Sequence, residues 1–408
     1  MTGGGQKYLI IVGDGMGDEP QERLGGRTPL EAARTPYMDR IAADGVLGLT
    51  ATITADQEPG SDVANMAILG YDPDRFHTGR APLEAASMGV ELRPEDVAFR
   101  CNLVTVRDDD QGRVVLADYS AGHITSEEGR ALIETIRRSL ESDSLRFYPG
   151  VSYRHLLVWR GGKEALRITP PHDVTGEPVD PYWQVYDQAP ELKALLAAAR
   201  PLLADHEVNR NRVSRGKSPA NAIWLWGQGR KPNMPTFKER FGLTGVTISA
   251  VDLIRGLGVC AGLEPVIVPG ATGYLDTNYA GKVAAACRAL EYEDLAFVHV
   301  EAPDEASHEG NLDLKIEAIV AFDTRVVNPL LEACATLPQA RVLVITDHLT
   351  PIRIKTHARG LVPFAIFDFA RRRQREQRGY SERSAAATGL IVRPGYELME
   401  KFIRGSLQ

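Results

Sequence analysis

Short apolar, β-branched runs recur along this chain, each ending in glycine or aspartate and followed by a stretch with helical periodicity. Such runs at Tyr8 to Val12, Ile223 to Trp226, Val246 to Ser249, Pro265 to Val268, Ala296 to Val300, Arg341 to Thr346 and Val362 to Phe367 predict strands, clustered at the two ends of the sequence. Strand and helix signals in alternation imply a mainly parallel sheet flanked by helices, so the expected class is α/β. Helix starts are equally legible. Thr28, Pro29 and Glu31 form a capping box with proline at the first helical position. A second start at Thr35, Pro36 and Asp39 leads into Met38, Ile41 and Ala42 on one face, with Gly45 as the stop.

The middle of the chain breaks this rhythm. A strand-like segment at Phe99 to Val106, a helix at Ser126 to Leu140 and a proline-rich loop from Thr169 to Tyr182 read as a smaller α+β cap spanning 97–206, inserted into a discontinuous α/β domain of 1–96 and 207–408. Decoration of one continuous domain is the alternative. There is no internal repeat, and the one strongly charge-biased run, Arg371 to Arg378, reads as a solvated helix face.

Composition narrows the function. At 408 residues and 43% apolar, the chain has material for two cores. Its apolar runs fall far short of the roughly 18 residues a membrane span needs. No basic segment followed by a signal-type apolar region opens the sequence, and Cys101, Cys260, Cys287 and Cys334 form no CxxC pair. The expectation is a cytoplasmic protein with reduced thiols, its cysteines serving as small core residues. A net charge of −7 with both signs interspersed speaks against nucleic acid as partner, whereas a small anionic ligand needs only a local basic pocket.

Candidate chemistry sits at strand ends. The first predicted strand runs into Asp14, another into Asp304 in His-Val-Glu-Ala-Pro-Asp, and a third into Asp347 and His348. In a parallel sheet these ends share one edge, so the acids converge, and clustered carboxylates persist together when protonated or neutralised by cations. Asp304 and His308 are spaced to share one face of a helical turn, while His357 follows His348 by nine residues. Imidazole with carboxylate suits manganese, zinc or similar ions better than calcium. His299 reads as a core histidine, and His77 and His206 as surface residues. Ser61 follows Pro59 and Gly60 at the start of an apolar helical run, where free backbone N–H groups favour an anion. A metal-bound serine is an accessible nucleophile; the bland reading of Ser61 is a helix cap. Gly13, Gly15 and Gly17 do not have dinucleotide-loop spacing, and there is no Walker loop. Gly227-Gln228-Gly229 and Gly270 to Gly273 read as strand-end turns.

Taken in order, these residues resemble the cofactor-independent phosphoglycerate mutases of archaeal type, within the alkaline phosphatase superfamily. The resemblance spans nearly the whole chain and is carried by Asp14-Gly15-Met16, Pro59 to Pro73 (PGSDVANMAILGYDP), Thr78 to Val90, Asp118 to His123 (DYSAGHI), Ile223 to Gly229, Val300 to Gly310 and Asp347 to His357. It implies an alkaline phosphatase-like core and two divalent ions, manganese foremost, with magnesium, zinc or cobalt as alternatives. One would be held by Asp304, His308 and His357, the other by Asp14, Ser61, Asp347 and His348. Ser61 would carry the phosphoryl group between the hydroxyls of a three-carbon acid, with neither bisphosphoglycerate nor nucleotide. The resemblance also makes His123 a substrate-contacting residue and proton carrier. Arg154, Arg212 and Lys282 are candidates for carboxylate and phosphate contacts. Departures are few: Leu349 where proline is expected, Ser307 where glycine is common, and Ala358-Arg359-Gly360 after His357. Rival readings are a homoserine kinase-like phosphotransferase, a phosphomonoesterase and a non-catalytic metal-binding protein on the same scaffold.

Overall fold

The computed structural model describes residues 5–407 except 338, 372–375 and 377. Most of the charged run expected as a solvated helix face therefore lies outside the described residues. In chain order the strands are β1 (Lys7–Gly13), β2 (Val46–Thr50), β3 (Val97–Asp108), β4 (Val114–Asp118), β5 (Leu145–Val151), β6 (Arg154–Trp159), β7 (Ala222–Gly229), β8 (Gly245–Ile248), β9 (Glu264–Val266), β10 (Leu295–Val300), β11 (Ala340–Thr346), β12 (Val362–Asp368) and β13 (Ile391–Val392). The chain divides into two compact units, one of residues 1–77 and 233–408, the other of residues 78–232.

The first unit is built on an eight-stranded sheet in the order β13-β2-β12-β11-β1-β10-β8-β9. Every pairing is parallel except the two made by β12, which runs against both β11 and β2. Sequence periodicity marked Val362 to Phe367 as a strand but carried no sign of its direction. Alternate residues Leu9, Ile11, Val298, Val300, Val342 and Val344 join one core with Met38, Ile41, Ala286, Ile319 and Phe322 from the helices, while Ile10, Val12, Leu343 and Ile345 are fully buried on the opposite face. Burying each such side chain contributes about 1.5–3 kcal/mol, which explains why these strands read as unbroken apolar runs. In the central strands Gly13 is in register with Val300 of β10 and with Thr346 of β11, so three strand ends stop level with one another.

The second unit is antiparallel. Its sheet runs β4-β3-β6-β5, with β7 also paired to β3. The helices Ser126–Leu140 and Pro190–Ala204 supply Leu132, Ile133, Leu192 and Leu196 to a core with Phe99, Leu103, Phe147 and Leu225. Its limits fall outside the expected 97–206 for two physical reasons. The helix Arg80–Ser87 buries Ala81 and Ala85 against Ala98, Leu156 and Val158. Meanwhile β7, expected in the larger domain, pairs along β3 from Ala98 to Val104 and extends through Gly229 where a turn was expected. Entry and exit of this unit are side by side: Thr78 Oγ1 donates to Arg230 O at 2.6 Å, and a Cβ on Gly229 would lie 2.0 Å from Thr78 O. No helix among the described residues is long and apolar enough to cross a membrane. Cys101 and Cys334 are buried, Cys260 and Cys287 half-buried, and all four are free thiols.

Candidate active site

Three level strand ends of the first unit deliver three acids. Asp14 follows β1, Asp347 follows β11, and Asp304 lies in the first turn of the helix Ala302–Glu309 after β10. All three are buried, at 1%, 0% and 3% exposure, which makes their mutual repulsion expensive. Close approach of these strand ends needs glycine at position 15: its φ is +61°, and a Cβ there would lie 2.3 Å from Asp304 Oδ1. Gly15 N and His348 N both donate to Asp347 Oδ1, at 3.0 and 2.9 Å.

Histidines close the cluster. His348 Nε2 lies 3.3 Å from Asp14 Oδ1 and 3.5 Å from Asp347 Oδ2. Asp304 Oδ2 is 2.9 Å from His308 Nε2 and 3.4 Å from His357 Nε2. Two ligand groups result, Asp14 with Asp347 and His348, and Asp304 with His348 and His357, in each of which the ligand atoms lie within 4.8 Å of one another. His348 belongs to both. Ser61 opens the helix Ser61–Ile68, behind an extended Gly60, and its Oγ is 3.1 Å from His348 Nε2.

Electrostatics separate the acids. Burial, then the charges of Asp347, Asp304 and Glu301, hold the Asp14 carboxyl well above the usual range. Burial acts the same way on Asp304, yet hydrogen bonds to His308 and His357 outweigh it and keep this carboxyl well below that range. The bond to Asp304 in turn lifts His308 to about 9. Burial lowers His348, and pushes His299 down to about 4. The donor set fits a divalent cation on an observation of its own. Asp14 Oδ1 is buried with no hydrogen-bond partner among the described residues, and His348 Nε2 lies 3.3 Å from it. Oxygen and imidazole nitrogen without thiolate make a mixed donor set of the kind divalent ions take.

Comparison with known proteins accords with this geometry. Residues 42–209 match the family model for 2,3-bisphosphoglycerate-independent phosphoglycerate mutase. A probable mutase of that description from Geobacter sulfurreducens is 51% identical over 397 residues, 97% of this chain and 99% of the relative. The chain belongs to the 2,3-bisphosphoglycerate-independent phosphoglycerate mutase family. A further family member, from Methanosarcina acetivorans, is 54% identical over 363 residues, 88% of this chain and 90% of its own. Among solved structures, a protein of Pyrococcus horikoshii aligns with a TM-score of 0.82 at 28% identity, covering 99% of this chain and 98% of its own. The cofactor-independent phosphoglycerate mutase of Thermoplasma acidophilum aligns at 0.65 and 28% identity, covering 99% and 100%.

The four remaining candidates of this family member are placed differently. His123 is exposed, with φ at +48° in a loop where Asp118 accepts from Ser120 N and Gly122 N, both at 2.7 Å, and Ser120 Oγ accepts from His123 N. Arg154, also exposed, lies over the Tyr153 ring at 5.7 Å, and the His123 ring is 6.3 Å from that same ring, so the second unit brings these two together. Arg212 is 2% exposed: its guanidinium donates to Ala121 O, Ser218 O and Glu128, which ties down the His123 loop and leaves little for a ligand. Lys282 is fully buried in the first unit and donates to His299 O at 2.8 Å, with burial lowering it to about 8.

Several residues that matter here were not singled out from sequence. Asn65 Nδ2 donates to Asp347 Oδ2 and to Ser61 O, both at 2.8 Å, which locks the serine's helix to the acid cluster. Its signal was position, one helical turn after Ser61. His299 is a core histidine as expected, but its Nε2 lies 3.0 Å from Asp14 Oδ2. His77, expected on the surface, is half-buried and bonds Asp62 at 2.7 Å. His206, also half-buried, caps the helix Glu207–Ser214 through Nδ1.

Proposed function

We propose that this chain interconverts 3-phosphoglycerate and 2-phosphoglycerate through a phosphoserine at Ser61, needing neither bisphosphoglycerate nor nucleotide. The observation that carries this reading is Ser61 Oγ set 3.1 Å from the imidazole that belongs to both ligand groups. In this reading Asp14, Ser61, Asp347 and His348 hold one divalent ion and Asp304, His308 and His357 the other, manganese being first choice. When bound, such ions supply the positive charge that makes a serine alkoxide and a transferring phosphoryl group affordable at neutral pH.

The protein's own groups do the rest. Backbone N–H groups in the first turn of Ser61–Ile68 offer donors to the phosphoryl oxygens. Ser61 Oγ forms the bond to phosphorus as the bond to the substrate's oxygen breaks. The reverse transfer, to the neighbouring hydroxyl of the same glycerate, regenerates the serine. His123 exchanges a proton with those hydroxyls, and Arg154 receives the carboxylate in a bidentate contact. In this scheme residues 78–232 act as the substrate-binding cap that shields phosphoserine from water. Arg212 holds the His123 loop through Ala121 O and Lys282 holds His299 O, each as a support rather than a contact. Four free thiols are consistent with a reducing compartment.

A nucleotide-free assay tests the proposal: metal-stripped protein, 3-phosphoglycerate, no bisphosphoglycerate, and manganese, magnesium, zinc or cobalt added singly. Formation of 2-phosphoglycerate that depends on added metal is expected, and Ser61→Ala should lower it at least about 10³-fold while keeping a wild-type circular dichroism spectrum. Undiminished turnover by the serine variant, or inorganic phosphate as the main product, would overturn the reading.

A further inference from the structure

We infer that Thr350 is a positioning residue that joins the two ligand groups and holds His348 with its proton on Nδ1, so that a lone pair on Nε2 faces the centre of the site. The inference rests on the proposed role of His348 as a metal ligand, and goes beyond it in assigning a residue outside the ligand set.

Thr350 is fully buried, and its single hydroxyl meets both groups: Oγ1 is 2.5 Å from Asp304 Oδ1 and 3.1 Å from His348 Nδ1. A hydroxyl has one proton to give. Asp304 Oδ1, a carboxyl oxygen at 2.5 Å, accepts from the hydroxyl, so that proton goes to Asp304. The hydroxyl oxygen is then left as an acceptor, and the bond to His348 forms only if Nδ1 carries the hydrogen. A neutral imidazole has a single N–H, so Nε2 is unprotonated. Its surroundings agree. Nε2 faces Ser61 Oγ at 3.1 Å, which can donate to it, and Asp14 Oδ1 at 3.3 Å. An unprotonated imidazole nitrogen and a carboxyl oxygen 3.3 Å apart are donor atoms that a divalent cation would take.

The hub is itself fastened. Thr350 N donates to Gly17 O at 3.0 Å, and the buried Lys315 Nζ donates to Thr350 O at 3.0 Å and to Gly17 O at 3.2 Å. A β-branched side chain has restricted χ1, so fixing this backbone fixes the hydroxyl. Gly15 crowds it further: a Cβ there would come within 2.7 Å of Oγ1.

The test compares wild type, Thr350→Val, which keeps the shape and removes the hydroxyl, and Thr350→Ser, which restores it. Manganese alone is titrated calorimetrically into each metal-free protein, and ¹⁵N-histidine spectra of the same samples report the His348 tautomer. Thr350→Val should weaken manganese binding about 10–100-fold and lose the Nδ1–H signature, while Thr350→Ser stays within about threefold of wild type and keeps it. Wild-type affinity in Thr350→Val, or an Nε2–H tautomer in the wild type, would overturn the inference. Should the wild type bind no manganese, the metal reading fails, and the tautomer spectra still decide the role of Thr350. Should Thr350→Val not fold, the wild-type and Thr350→Ser spectra decide it.

Discussion

Lys315 has no exposed surface, and its ammonium is paired with Asp18 at 2.8 Å while also serving the carbonyls of Gly17 and Thr350. A buried pair of this kind adds little net stability, but removing one partner strands the other charge. Lys315→Met should therefore cost about 3–5 kcal/mol of unfolding free energy, measured by urea titration, and adding Asp18→Asn should recover part of it. Additivity of the two losses would refute the pairing. Residues of this type mark what sequence leaves hidden. Asp14, Asp304 and Asp347 were legible because a strand end is visible as an apolar run that stops at an acid, and Ser61 because Pro59 and Gly60 announce a turn. Nothing in the local pattern around Lys315 distinguishes it from a solvated lysine on the helix Leu312–Phe322, since Gly17 and Asp18 are some 300 residues away and Thr350 lies beyond further elements of the chain.

The helix Pro36–Asp44 shows the same limit for a whole element. Proline at its start was a sound signal, yet Thr35 makes no side-chain cap; Asp323, which begins the π-helical segment Asp323–Val327, caps it from afar by accepting from Met38 N at 2.7 Å and Tyr37 N at 3.3 Å. Burial raises this carboxyl to about 6, backbone bonds notwithstanding. Since its ordinary value is 3.8, the folded protein keeps a proton on Asp323 that the unfolded chain has released between about pH 4 and 6. Stability therefore falls as pH rises through that window, by on the order of 2 kcal/mol from this group. Asp323→Asn should lack this component, so wild type minus variant in urea unfolding should decline from pH 4.5 to 6.5; a constant difference would count against it. Strand direction was equally hidden. Apolar content located β12, but only its pairing with β11 and β2 makes it antiparallel. The short strands β2 and β13 escaped notice because Gly48 breaks one apolar run and the other has only two residues.

For the whole molecule, sequence set an insertion at 97–206 where the second compact unit spans 78–232, because membership in a core is settled by pairing partners rather than by where a compositional change is felt. The second unit has its own sheet, helices and buried aromatic core. Residues 78–232 expressed alone should unfold in one cooperative transition by circular dichroism; a gradual, non-cooperative melt would show that its core depends on the remainder of the chain. Thr78 and Arg230 have a further meaning here. Because the polypeptide enters and leaves the second unit at points one hydrogen bond apart, that unit behaves like a stem with a variable head. Lengthening, replacing or recombining that head leaves the base of the stem in place, so under the proposed function the phosphate chemistry and the choice of acid would diversify independently, as separately inherited traits.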